Sequence, residues 1–412
     1  MPGICHRRHK HAKACEPGLC ETYALYAWNL PADEETGQER ETHRSWLNHW
    51  QYYRVVPILI RIMKKICDPI NRDGLNLKGM NMEQITFKGL VVEELNGRFS
   101  RTVKTRTIND LPENDLLIRV HYSSLNYKDA LSASGNKGVT KSYPHTPGID
   151  AVGTVVHSDH AAFREGEEVI VTSYDLGMNT SGGFGQYIRV PAVWAVKLPA
   201  ELSMRESMMI GTAGLTAGMS VLRLTEQIKP NDGNVVVSGA TGGVGALSIA
   251  ILARLGFKVS AISGKKTESD FLYRLGACEV IAREEFEQEN KRPMLKGDYA
   301  GGIDTVGGSI LDNMIKSIQP MGVVTCCGNV ASAQLNLTVF PFILRGVSLI
   351  GIDSQNYRMA YREAVWNKLA TDWKPDTLLD VYQEISLDEL SDHIDRMLDG
   401  KLKGRIIVNM EA

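Results

Sequence analysis

The stretch that decides the fold is Val235-Val236-Val237-Ser238-Gly239-Ala240-Thr241-Gly242-Gly243-Val244-Gly245. It continues through an apolar helical run to Val259-Ser260-Ala261-Ile262-Ser263-Gly264-Lys265-Lys266. A β-branched run of this kind suits a strand buried on both faces, as in a parallel sheet. The small-residue turn after it cannot continue a strand, and Leu247, Ile251, Leu252 and Leu255 then recur at helical spacing. Strand, glycine turn and helix together present several backbone N–H groups at a positive helix end, which suits a pyrophosphate. Ala240 to Gly245 match G-x-G-x-x-G with Ala for the first glycine, in the strand–helix context that a dinucleotide site requires.

The end of the second strand bears on which dinucleotide binds. NAD sites place an Asp or Glu about 20 residues beyond the turn to hold the ribose 2′-hydroxyl. Here the chain has Ser263-Gly264-Lys265-Lys266 and no acid. A carboxylate would repel a 2′-phosphate. A serine hydroxyl, a backbone N–H and an ammonium bind it, each charge-assisted hydrogen bond contributing about 1.5–3 kcal/mol. The stretch therefore reads as NADPH over NADH; the competing reading makes the lysines a solvated helix start.

At 412 residues the chain has room for two domains and an appendage. Hydrophobic residues at 43% and charged residues at 23% are ordinary for a soluble globular protein, and a net charge of −2 gives no footprint for nucleic acid. No apolar run approaches the ~20 residues of a membrane span; Val55-Val56-Pro57-Ile58-Leu59-Ile60 is broken by Pro57 and closed by Arg61. Seven cysteines, none in a paired zinc spacing, fit a reducing, cytoplasmic setting. Residues 1–81 differ from the rest, holding Cys5, Cys15, Cys20 and Cys67, five histidines and three tryptophans. The tract His6-Arg7-Arg8-His9-Lys10-His11 reads as a solvated tail rather than a metal or nucleic-acid site. There is no secretory pattern, and Glu16, Glu21, Asp33, Glu34 and Glu35 argue against a transit peptide. Met80 and Met82 stand just before the first regular pattern, so 1–81 reads as an appended, dispensable segment.

Residues 82–206 carry short strands at Phe87–Val92, Asp115–Tyr122, Gly148–Val156, Glu168–Val171 and Tyr187–Val190, split by Gly, Pro and Asn. That spacing predicts an all-β, partly barrel-like unit. Over 207–353 strands alternate with helices, at Val235–Ser238, Lys258–Ile262, Glu279–Ile281, Gly302–Val306, Gly322–Cys326 and Val347–Ile352. The alternation predicts an α/β fold with a doubly wound parallel sheet. Residues 354–412 are helical at Trp366–Thr371 and Leu387–Leu398, end in a strand Arg405–Val408, and are expected to return to the first unit.

This order resembles the medium-chain dehydrogenase/reductase superfamily, with a GroES-like catalytic domain and a Rossmann domain. Pro147-Gly148-Ile149-Asp150-Ala151-Val152-Gly153, Gly183-Phe184-Gly185-Gln186-Tyr187 and Ile303-Asp304-Thr305-Val306-Gly307-Gly308 are similar to its motifs. Within it, Ser123-Ser124-Leu125-Asn126-Tyr127-Lys128-Asp129, Ile210-Gly211-Thr212-Ala213-Gly214 and Pro341-Phe342-Ile343-Leu344-Arg345 are closely similar to the zinc-free acrylyl-CoA reductase family, of the quinone-oxidoreductase type. Alcohol dehydrogenases of the superfamily carry Cys where Asn126-Tyr127 stand, Gly-His-Glu where Gly148-Ile149-Asp150 stand, and a four-cysteine lobe. Here those ligands are replaced, and Cys326 with Cys327 cannot alone build a tetrahedral site, so no metal is expected.

Without a Lewis acid, alcohol chemistry loses its means of stabilising the alkoxide. Hydride addition to an activated C=C fits better, because the conjugated carbonyl spreads the charge into an enolate. The resemblance implies NADPH-dependent reduction of acrylyl-CoA to propionyl-CoA. Tyr127 is the candidate acid or hydrogen-bond donor to the enolate oxygen, against a role of packing the nicotinamide while water supplies the proton. Asn126 either orients the substrate carbonyl or caps a turn, with the turn favoured; Lys128 and Asp129 are expected to pair with each other. By position, the family's cofactor contacts fall on Tyr127, Gly242, Gly243, Val244, Gly245, Ser263, Gly264, Lys265, Arg283, Asn329, Ile343, Ser354 and Arg405. The family commonly has Arg where Lys265 stands, which weakens bidentate phosphate contact. Asp304 faces the cleft or caps the next helix. Rival readings are a quinone reductase on the same scaffold and a nicotinamide-binding protein without turnover. The apolar strand Val347–Ile352 at a sheet edge predicts a homodimer.

Overall fold

The computed structural model describes residues 85–412, and the readings for residues 1–81, including the basic-histidine tract and its four cysteines, lie outside the described residues. Two strands open the described chain. β1 (Thr86–Leu95) and β2 (Arg98–Thr107) pair antiparallel across Asn96-Gly97, the dipeptide that best tolerates the positive φ angles of a two-residue hairpin. The sequence reading passes over β2. Arg, Lys, Ser and Thr fill much of it and none of its residues is buried, so it carries no apolar alternation to detect.

The barrel-like unit is built from β3 (Leu116–Leu125), β4 (Asp150–Ser158), β5 (Glu168–Thr172), β6 (Tyr187–Val190) and β7 (Ala195–Lys197). Its core gathers Leu116, Ile118, Val120, Val155, Val169 and Ile188, all at most 1% exposed. A short helix, α1 (Tyr127–Ala133), leaves the end of β3 directly. The long helix α2 (Met204–Thr225) then leads into the second unit.

There the strands are β8 (Asn234–Val237), β9 (Val259–Ser263), β10 (Ala277–Ala282), β11 (Tyr299–Asp304), β12 (Ile318–Cys326) and β13 (Ser348–Gly351). Helices α3 (Gly243–Arg254), α4 (Ser269–Arg274), α5 (Arg283–Phe286), α6 (Gly308–Lys316) and α7 (Phe340–Arg345) connect them. The six strands lie parallel in the order β10-β9-β8-β11-β12-β13, the doubly wound sheet that the alternation predicts. Val235, Val236 and Val237 are each 0% exposed, as a strand covered on both faces must be. The strand order reverses between β8 and β11, the topological switch point at which open α/β sheets bind ligands.

The chain ends with α8 (Met359–Ala370), β14 (Tyr382–Ser386), α9 (Leu390–Leu398) and β15 (Arg405–Asn409). β15 lies antiparallel on β3, with Ile406 opposite Leu125 and Val408 opposite Ser123. The last strand thereby joins the first unit's sheet, ordered β14-β15-β3-β4-β5-β7 with β6 also on β3. The sequence reading takes this region as helical and misses β14, a short strand whose Gln383 and Glu384 break the apolar pattern. Among the described residues no helix is long and apolar enough to cross a membrane.

Candidate active site

At the switch point, β8 runs into Ser238 and then Gly239, whose φ of +57° lies in the left-handed region. A Cβ there would sit 2.1 Å from Thr305 Oγ1, so only glycine serves. This corrects the motif alignment. The first indispensable glycine is Gly239 and not the position of Ala240, which is fully buried. The turn therefore reads Gly239-x-x-Gly242-x-x-Gly245. Ser238 Oγ donates to Asp304 Oδ1 at 2.7 Å and accepts from the Thr305 N–H at 2.9 Å, which joins the ends of β8 and β11. Asp304 also accepts from the Gly307 N–H at 2.8 Å, so it serves the turn into α6. Gly242 is the N-cap of α3, and the first-turn N–H groups of Gly243, Val244 and Gly245 have no intrahelical acceptor.

The far end of the cleft lies at β9. Ser263 Oγ accepts from the Lys265 N–H at 3.0 Å. Gly264 is exposed, and a Cβ on it would lie 3.0 Å from Arg283 Cζ; the guanidinium therefore stands directly beside this turn. Lys265 points elsewhere. Its ammonium donates to the Leu402 carbonyl at 2.5 Å, and burial lowers its pKa. Lys266 is exposed. A cleft of about 560 Å³ opens here, lined by Gly264, Lys265, Lys266 and Thr267, with Glu284 and Glu285 on its other side.

The opposite end is organised by a buried ion pair. Asp150 and Arg405, 0% and 3% exposed at their side chains, meet at 3.4 Å. Asp150 also accepts from Ser124 Oγ at 2.6 Å, Asn126 Nδ2 at 2.8 Å, and the Thr212 N–H and hydroxyl at 3.0 and 2.5 Å. Arg405 donates to Asn126 Oδ1 at 2.8 Å and to Ser124 Oγ at 2.6 Å. Burial lowers the pKa of Arg405 while Asp150 and Asp129 act to raise it. Such a pair repays its desolvation only when the remaining donors and acceptors are satisfied, and here both groups have several partners. The approach is possible because α2 breaks at Gly211, with φ +51° and ψ −159°. A Cβ at Gly211 would fall 2.5 Å from both Arg405 Nη2 and Asp150 Oδ2.

Asn126 places the two ends of its amide on Asp150 and Arg405, contacts that belong to the turn before α1. One expectation changes here. Lys128 and Asp129 do not pair. Lys128 Nζ donates to Gln355 Oε1 at 2.7 Å, while Asp129 accepts from the N–H groups of Asn126, Gly148 and Ile149 at 2.8, 3.2 and 2.8 Å. Burial, reinforced by Asp150, pushes the Asp129 carboxyl up to about 7. Tyr127 opens α1, directly after Asn126, and is 45% exposed. The reading of the sequence did not name Ser124, Asp150 and Thr212 as site residues, although all three stand inside the motifs quoted above.

The other candidates separate. Asn329 lines a cleft of about 730 Å³ along the ends of β11, β12 and β13, together with Gly307, Cys326 and Asp353. Ser354 Oγ accepts from Thr216 Oγ1 at 2.8 Å. Ile343 is 68% exposed on α7 beside Leu344 at 61%, and it does not line that cleft. Burial pushes the Cys327 thiol up to about 12. Among the described residues no three His, Cys, Asp or Glu side chains converge as a metal-ligand set.

Two family models match the chain: the alcohol dehydrogenase GroES-like domain over residues 112–200 and the zinc-binding dehydrogenase model over residues 243–371. YhfP of Bacillus subtilis, whose quinone oxidoreductase name is itself provisional, is 42% identical over 326 residues, covering 79% of this chain and 99% of its own length. The chain belongs to the quinone-oxidoreductase type of medium-chain dehydrogenase/reductases. Two other members of this family are informative. Acrylyl-CoA reductase AcuI of Ruegeria pomeroyi is 38% identical over 329 residues, covering 79% of this chain and all of the relative. The yhdH oxidoreductase of Salmonella enterica, solved in complex with NADP, superposes with a TM-score of 0.76 at 39% identity over 78% of this chain and 99% of that one. The structure of YhfP, with a TM-score of 0.77, has NAD bound.

Proposed function

We propose that this dehydrogenase/reductase reduces the C=C bond of a short 2-enoyl thioester with NADPH, converting acrylyl-CoA to propionyl-CoA without a metal. The observation that carries the cofactor reading is the end of β9. No carboxylate follows the strand, Ser263 and Gly264 form an open turn, and the Arg283 guanidinium stands beside it. A 2′-phosphate finds cationic and N–H partners there. Bound in this cleft, NADPH supplies a hydride, which adds to the β-carbon of the enoyl thioester.

The chain's own residues do the rest. The Asp150–Arg405 pair locks Asn126, and Asn126 sets the first turn of α1, from which the half-exposed Tyr127 ring projects. A phenol held there donates to the thioester oxygen as it gains charge, or delivers the α-carbon proton. The 38% identity to a named acrylyl-CoA reductase supports the thioester. The 42% identity to YhfP keeps NADPH:quinone oxidoreduction as the second reading.

The same reading assigns residues 82–206 and 354–412 to the catalytic domain, residues 207–353 to the cofactor domain, and no catalytic part to 1–81. It also assigns a homodimer through β13, an open sheet edge flanked by the exposed Val339, Phe340 and Leu344 at 62%, 41% and 61%. We infer a cytoplasmic setting, which the free thiols of Cys278, Cys326 and Cys327 among the described residues support. Steady-state oxidation of NADPH with acrylyl-CoA and with a benzoquinone tests the reaction. We expect the thioester to give the higher kcat/KM, and Tyr127→Phe to lower it about 100-fold, within the range for general acid catalysis. A clear preference for the quinone overturns the thioester reading, and background rates with both favour a binding protein without turnover.

A further inference from the structure

Helix α8 turns Arg362, Val365, Trp366, Leu369 and Ala370 into the core. The spacing is that of an apolar helical stripe, and an arginine occupies its first place. Arg362 is 0% exposed. Among the described residues no carboxylate pairs with it; its two Nη groups donate to neutral oxygens, while its buried Nε has no hydrogen-bond partner. Nη1 donates to the Thr172 carbonyl and hydroxyl, each at 3.0 Å. Nη2 donates to the carbonyls of Ser354 at 2.9 Å and Gln355 at 3.3 Å. The guanidinium lies 4.4 Å from the centre of the Tyr174 ring. An apolar side chain of similar volume would satisfy the packing without the desolvation of a charge, so packing alone gives no reason for arginine here.

The acceptors lie on two segments. Thr172 ends β5 in the catalytic sheet, while Ser354 and Gln355 open the return segment just after β13, the edge strand of the cofactor sheet. Gln355 Oε1 accepts from Lys128, the residue after Tyr127, at 2.7 Å, and the Gln355 carbonyl also accepts from the Tyr174 N–H at 3.3 Å. Ser354 Oγ is tied to Thr216 on α2. We propose that Arg362 is a positioning residue for hydride transfer. It clasps the carbonyls of Thr172, Ser354 and Gln355, and so fixes the wall behind Ser354 against the corner that carries Tyr127 and Lys128. The inference rests on the oxidoreductase reading above and deepens it.

The full-length chain carrying Arg362→Met tests this, because methionine occupies the same core place without the hydrogen bonds. A second variant, Gln355→Ala, cuts the Lys128 contact and leaves α8 untouched. We expect Arg362→Met to lower kcat about tenfold or more with KM for NADPH within about threefold, since misplacement acts on the transition state rather than on uniform binding. The primary deuterium isotope effect on kcat, read with NADPH deuterated at the transferred position, should rise in both variants as hydride transfer becomes rate-limiting, by less in Gln355→Ala. A kcat within about twofold of wild type in Arg362→Met, or a loss with an unchanged isotope effect, overturns the proposal. If Arg362→Met does not fold, an unchanged rate and isotope effect in Gln355→Ala overturns it instead. The acceptor is whichever of acrylyl-CoA and a benzoquinone the wild type reduces faster. Failure with acrylyl-CoA then counts against the thioester reading, and only the ratio of variant to wild type bears on Arg362.

Discussion

In the proposed NADPH site, Lys265 and Arg283 are two cations at the turn that would meet a 2′-phosphate. Arg283 stands beside Gly264 with its side chain about half exposed at 54%, in long ion pairs with Glu284 at 3.9 Å and Glu287 at 3.7 Å that an anion in the adjoining cleft would have to displace. Lys265 spends its ammonium on the Leu402 carbonyl, which ties the cofactor turn to the segment that ends in Arg405. One charge-assisted bond of about 1.5–3 kcal/mol corresponds to about ten- to a hundredfold in affinity. Arg283→Ala should therefore raise KM for NADPH by about tenfold or more and leave KM for NADH within about twofold. Lys265→Ala should act in the same direction by a smaller factor, because part of its hydrogen bonding already goes to Leu402. Initial-rate kinetics with both cofactors check this, and equal effects on NADPH and NADH would refute the assignment. The sign of charge at this turn was legible because Ser263, Gly264 and Lys265 are neighbours in sequence. The Asp150–Arg405 pair was not, since 255 residues separate its members and neither sits in a charge pattern.

At the scale of elements, the strands that announced themselves are those covered by protein. Val235–Val237 and Val259–Ile262 are buried throughout, and their β-branched runs were readable for that reason. β2 and β14 hold charged and polar residues, and their hydrogen bonds to neighbouring strands leave no trace in hydropathy. The break in α2 was equally hidden. Gly211-Thr212-Ala213-Gly214 reads as a small-residue helix segment, yet the chain leaves helical geometry at Gly211 and restarts so that the Thr212 N–H reaches Asp150 at 3.0 Å. Gly211→Ala should cost about 3 kcal/mol or more in urea unfolding, combining a left-handed φ with displacement of a buried ion pair. Activity should fall with it, since the same displacement moves Asn126. A loss below about 1 kcal/mol would mean that the kink and the pair are not coupled in this way.

The whole molecule was the most legible level. The doubly wound sheet followed from periodicity, and the family motifs agreed with it; the glycine turn after β8 lay where the sequence put it, but its first glycine is Gly239 and not the position of Ala240. The position of Ile343 was not legible, because whether a helix faces a cleft or solvent depends on how α7 sits on β12 and not on its own sequence. Its exposure, with that of Val339 and Leu344 beside the β13 edge, is why a dimer is proposed there. Leu344→Lys should convert the dimer to a monomer in sedimentation velocity, and a wild-type monomer would remove the proposal. The fate of the hydride distinguishes enoyl reduction from every other reaction of this scaffold. Turnover of acrylyl-CoA with NADPH deuterated at the transferred position, followed by mass and NMR analysis of the thioester, reads it directly. The account predicts one deuterium in the propionyl product at the β-carbon, with the α-carbon proton drawn from solvent. A product without deuterium, or with deuterium at the α-carbon, would contradict it.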